Sequence, residues 1–61
     1  MNPPRRFMSA DELAQWLPFT ENTIRKWTSM GRIPSFRKGR RRLYDWLQIT
    51  AWLEAGEVEN G

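Results

Sequence analysis

The sequence predicts a mostly α domain with one small β-hairpin: three short helices, and a two-stranded basic wing between the second and third. Three observations predict it. One helix-start pattern occurs three times along the chain. Glycine or proline follows each expected helix end. The stretch FRKGRRRLY, residues 36 to 44, is too short for a helix, yet it has apolar residues at both ends and a glycine between them.

In MSADEL, Ser9 is placed to cap a helix whose third residue, Glu12, completes a capping box, with Met8 and Leu13 as a hydrophobic staple. In FTENTI, Thr20 is the cap, and Phe19 and Ile24 hold the staple positions. In YDWLQI, Asp45 caps, Gln48 completes a box, and Tyr44 and Ile49 form the staple. The first helix is expected from about Ala10 to Leu17, with Ala10, Leu13, Ala14 and Leu17 on one stripe and Pro18 ending it. The second runs from about Glu21 to Met30 and buries Ile24, Trp27 and Thr28. Gly31 is its left-handed terminus, and Pro34 prevents a restart. The third runs from about Trp46 to Ala55 and turns Trp46, Ile49, Trp52 and Leu53 inward, with Gly56 beyond its end.

Between the second and third helices, Ser35–Arg37 and Arg41–Tyr44 are expected as two short strands, with the turn at Lys38–Gly39–Arg40. With an even loop, Phe36 and Leu43 share a face and turn to the core; with an odd loop, Arg42 takes that place. The domain is expected over residues 8–56, between a flexible leader at 1–7 and a disordered acidic tail at 57–61.

Composition excludes several functions. The chain of 61 residues has no cysteine and no histidine, so thiolate metal sites, disulfides and the commonest general base are absent. No nucleophile–base pair or phosphate loop is visible, so no enzyme, cofactor or metal is expected. The uncharged runs are too short to span a bilayer, and a cytoplasmic, nucleoid-associated protein is expected. Charge is segregated. Between Asn22 and Arg42 lie eight basic residues and no acidic one, whereas the chain from Leu43 onward carries −4. Such a basic middle is the footprint of a polyanion binder.

The link between the first two helices, Pro18 to Thr20, is short enough to set them at a steep angle, as in a helix-turn-helix. On the outer face of the second helix, Asn22, Arg25, Lys26 and Ser29 form one stripe at i, i+3, i+4 and i+7. Arginine and lysine can bond guanine O6 and N7, and asparagine can read adenine. Thr20, Thr23 and the helix N-terminus suit phosphates. In the wing, Arg37, Lys38, Arg40 and Arg41 fall at or near the tip, with Arg42 beside them.

Together these elements make a winged helix-turn-helix. Residues 8 to 54 also resemble the small DNA-binding domains of phage excisionases, which are similar to those of MerR-type regulators and AlpA-type activators. The resemblance rests on TIRKW in the second helix, GRIP after it, RKGRRRL in the wing and AWLE near the end, in that order. It departs at Lys38, where the family usually has a hydrophobic residue, and at Gln48, where it often has aspartate. The resemblance implies that the second helix enters the major groove of double-stranded DNA while the wing follows the backbone or the adjacent minor groove. It further implies an architectural role in recombination directionality, with cooperative tandem binding and a recombinase (integrase) as partner. A small transcription regulator would use the same domain. A different class, a protein-interaction module such as a terminase small-subunit-like adaptor or an antitoxin, is suggested by Trp16 and Leu47, which fall off the buried stripes. Their plainer alternative is packing against Pro3, Pro4 and Phe7 or covering the core edge.

Overall fold

Each of the three start patterns opens a helix. In the computed structural model, which describes residues 2–56, the order is β1 (Phe7–Met8), α1 (Ala10–Ala14), α2 (Glu21–Ser29), β2 (Phe36–Lys38), β3 (Arg41–Asp45) and α3 (Trp46–Glu54). The staple residues are the centre of the core. Tyr44, Met8, Leu13, Ile24 and Ile49 are its largest fully buried side chains, and Phe19 packs against them. Ala10, Leu17, Ile33 and Trp52 complete the buried set. A run of aromatic rings joins α2 to α3: Phe19 meets Trp27 at 5.0 Å between centroids, and Trp27 meets Trp52 at 6.1 Å, both edge-on. Trp16 is half-buried and packs on the core edge, where it shares a shallow pocket with Pro4, Arg5 and Met8. Leu47 stays exposed.

Helix α1 is shorter than expected. The chain leaves it after Ala14 through two tighter bonds, Gln15 N–H to Glu12 C=O at 3.1 Å and Trp16 N–H to Leu13 C=O at 2.9 Å. Pro18 disfavours helical geometry at Leu17, so the last turn contracts instead of extending. At its start, Ser9 N–H donates to the Glu12 carboxylate at 3.1 Å, and the Ser9 hydroxyl lies against both Asp11 and Glu12.

The sheet has three antiparallel strands in the order β1-β3-β2. Phe7, the first residue of the outer strand β1, belongs to the stretch expected to be a flexible leader. Phe7 pairs with Asp45 and Met8 with Tyr44, so the ordered domain begins before residue 8. Arg6 secures this edge: its Nε and Nη2 donate to the two Asp45 oxygens at 3.0 and 3.1 Å, and its carbonyl accepts from Trp46 N–H at 2.7 Å. Asp45 also caps α3 by accepting from Leu47 N–H at 3.0 Å. The expected capping box with Gln48 does not form among the described residues: Gln48 is exposed, and Arg6 braces the Asp45 carboxylate instead. The expected acidic tail at 57–61 lies outside the described residues.

The wing has an even, two-residue loop. Phe36 pairs with Leu43, Arg37 with Arg42 and Lys38 with Arg41. Gly39 has φ +63° and Arg40 has no positive φ, the sign pattern of a type II′ turn. Phe36 and Leu43 do share a face, but it is not the core face. Successive residues of a strand point to opposite sides, and Tyr44 takes the core side of β3. Phe36 instead meets Phe7 edge-on at 5.6 Å on the outer side.

Tyr44 also ties the wing to α2. Thr28 Oγ1 donates to the Ile24 carbonyl at 2.7 Å, so the Tyr44 hydroxyl must be the donor in its own 2.5 Å bond to Thr28. Such a bond contributes about 1 kcal/mol net. More to the point, it fixes where the base of the wing stands relative to α2.

Candidate nucleic-acid interface

Helix α2 is held from below by Ile24 and Trp27, which leaves its opposite stripe in solvent. Asn22, Arg25, Lys26 and Ser29 are all exposed along it. Among the described residues, Asn22 and Lys26 have no side-chain bond or ion pair. Ser29 Oγ donates to the Lys26 carbonyl at 2.8 Å. Arg25 is engaged, since its Nε donates to Glu21 Oε2 at 2.7 Å. That hydrogen bond, and then the carboxylate's charge, holds the guanidinium pKa above its ordinary value. At the helix start Thr23 N–H donates to Thr20 Oγ1 at 3.2 Å, and the Thr20 hydroxyl donates to Thr23 Oγ1 at 3.0 Å. These bonds leave the Thr23 hydroxyl proton available to an acceptor outside the protein.

The wing stands beside this stripe. Arg25 and Ser29 of α2 and Arg41 and Arg42 of β3 line a common cleft of about 380 Å³, with Ser9, Ala10, Thr28 and Tyr44. The pairing register explains the role of Arg42. It shares its side of the strand with Tyr44, whose hydroxyl reaches α2, so Arg42 is carried toward that helix. Its Nη1 donates to Ser35 Oγ at 3.3 Å. Arg37, Lys38, Arg40 and Arg41 are exposed and unpaired among the described residues. Two cross-strand pairs are therefore like-charged, Arg37 with Arg42 and Lys38 with Arg41. Like charges directly opposite destabilise a sheet.

The structure thus brings Arg25, Ser29, Arg41 and Arg42 together, and places Thr20, Asn22, Thr23 and Lys26 along the same helix. Arg37, Lys38 and Arg40 extend from the hairpin toward its tip. Tyr44 and Thr28 were expected only as apolar or buried positions, and their place on the cleft depends on strand alternation. Glu21 was readable from its i, i+4 spacing to Arg25. Arg32 lies apart from the cleft, over the Trp27 ring at 6.0 Å. Among the described residues, no cluster of acidic side chains could hold a metal ion, and no helix is long and apolar enough to cross a membrane.

A short-linked helix pair with an exposed polar second helix and a basic hairpin beside it defines a winged helix-turn-helix. A family model described as a helix-turn-helix domain matches residues 7–57, and the chain belongs to that family. It is a small helix-turn-helix DNA-binding domain. No curated protein and no solved structure was found to match.

Proposed function

We propose that the chain acts as an excisionase-type architectural protein: α2 reads base edges in the major groove while the wing grips the phosphate backbone and bends the duplex. The observation that carries the phosphate-gripping role is the like-charged wing. Arg37 opposite Arg42 and Lys38 opposite Arg41 work against the hairpin unless a polyanion lies across them. The motifs TIRKW and RKGRRRL, in their excisionase-like order, support the architectural role. Asn22, Arg25, Lys26 and Ser29 face the bases. Thr20 and Thr23 sit by the flanking phosphates, and Arg37, Lys38, Arg40, Arg41 and Arg42 form the clamp. A cytoplasmic protein that binds DNA beside a recombinase, without catalysis of its own, fits a chain lacking both histidine and cysteine.

A salt titration of duplex binding tests the clamp. Log K should fall linearly with log salt, by about 0.9 per phosphate contact. Arg41→Ala should reduce that slope by about 0.9 and weaken cognate and random duplex alike, whereas Arg25→Ala should weaken cognate over random. A flat titration, or identical behaviour of the two variants, would sink this division of labour. Architecture is tested separately by gel mobility on circularly permuted fragments carrying the bound site. Mobility should depend on the position of the site. Uniform mobility would remove the architectural role and leave a DNA-binding regulator of the AlpA type.

A further inference from the structure

Glu21 is the single acidic residue of α2, and it stands one turn before Arg25 on a surface offered to a polyanion. A carboxylate there opposes DNA unless it serves another purpose. The geometry of its bond to Arg25 supplies one. Glu21 Oε2 accepts from Nε, the donor nearest the side-chain stem, at 2.7 Å. No bond to either terminal nitrogen forms among the described residues. The two terminal nitrogens make up the end edge of the guanidinium fork, the edge that matches guanine O6 and N7. An arginine held by Nε keeps its guanine-reading edge unbonded, and the bond biases the plane of its guanidinium. A free arginine must lose its rotamer freedom on binding; a biased one loses less of it in the complex.

We propose that Glu21 is a positioning residue that makes Arg25 a guanine reader, so that the DNA site contains a guanine facing Arg25 in the major groove. This rests on the proposed role of α2 as the base-reading helix. The pair is exposed, with side chains 61% and 40% accessible for Arg25 and Glu21, so in free protein it is weak. Within the groove water is displaced and the same bond strengthens. Glu21 thus trades overall affinity for discrimination: its charge repels every duplex equally, while its hydrogen bond favours only a duplex with guanine in place.

The test begins with selection of bound duplexes from a randomised library by the full chain. Binding is then measured on the selected site, on that site with each guanine replaced by 7-deazaguanine, and on random duplex. The wild type should lose about tenfold or more at one 7-deazaguanine position, the scale of one bidentate base contact. Arg25→Ala should lose that sensitivity. Glu21→Ala removes both the charge and the acceptor, and should bind random duplex at least as tightly as wild type, yet keep only a small part of the discrimination. Glu21→Asp retains the charge on a stem one carbon shorter, which loosens its hold on Nε. It should therefore match wild type on random duplex and fall between wild type and Glu21→Ala in discrimination. If Arg25→Ala abolishes the sensitivity while Glu21→Ala keeps it in full, the proposal for Glu21 is overturned and α2 remains the reader. If no site is enriched, or Arg25→Ala discriminates as well as wild type, the base-reading role of α2 fails and the proposal for Glu21 fails with it.

Discussion

Ile24→Ala is expected to leave the chain largely unfolded at room temperature. Ile24 is fully buried beneath α2, at the meeting point of the core. Removing the side chain beyond Cβ loses its transfer free energy and leaves a cavity, at a cost of about 2–5 kcal/mol. A single hydrophobic core of this size rarely supplies more than about 3–5 kcal/mol in total. The two figures are comparable, so the folded population should collapse. Ile24→Val removes much less and should cost only about 0.5–1.5 kcal/mol. Far-UV circular dichroism with a urea titration of the three proteins measures both steps. An Ile24→Ala protein with the wild-type midpoint would contradict the packing of α2 described above.

The second large effect is acid unfolding centred on Asp45. Hydrogen bonds from Arg6, aided by Leu47 N–H and the guanidinium charge, hold the Asp45 carboxyl below its ordinary pKa. Glu12 is held low chiefly by Ser9 N–H, and Asp11 by the Ser9 hydroxyl. All three are depressed in the folded state. Their stabilisation is fully present above the unfolded values, near about 4, and is lost as pH falls through the folded ones. Across that window the unfolded chain binds more protons, so stability rises with pH. The melting temperature should therefore fall steeply below about pH 4 and change little from these groups above about pH 5. Asp45→Asn keeps a side-chain oxygen for the α3 cap but loses the charge facing Arg6. It should melt lower than wild type at neutral pH and show a shallower acid limb. Asp45→Ala loses the cap as well and should melt lower still. An Asp45→Asn profile as steep as wild type would assign the acid sensitivity to other carboxylates.

Much of the fold was legible because local signals agreed with one another. Cap and staple residues are fixed by sequence distance, and five of the six staple side chains (all but Phe19) became the buried centre. Hairpin register followed from loop parity, and Phe36 faces Leu43 as an even loop requires. What alternation cannot tell is which side of a strand will be covered. That is decided by Tyr44 reaching Thr28, a contact 16 residues apart in sequence, so Phe36 and Leu43 ended on the outer side. Strand β1 was hidden for a related reason: two residues are too few to show a period. Its existence depends on Arg6 finding Asp45. At the candidate site, the α2 stripe and the basic wing were evident from spacing and charge. The grouping of Arg42 with Arg25 was not, because it depends on how the strand is carried toward the helix.

Strand β1 also bears on the order of folding. Arg6 and Asp45 are 39 residues apart, so their contact closes a loop through most of the described chain. The entropy of closing such a loop, roughly (3/2)RT ln n, is about 3 kcal/mol. Helices α1 and α2 meet across a short turn and the hairpin forms across two residues, so both face far smaller barriers. The N-terminal arm is therefore a clasp that shuts late, once the other elements have brought Asp45 to it, and that frays early. Its opening would free Arg6 and Phe7 at the sheet edge beside the start of α3, and would also strip the wing of the Phe7 ring against Phe36 and of the pairing with β3. The arm thus couples the start of α3 to the base of the basic hairpin.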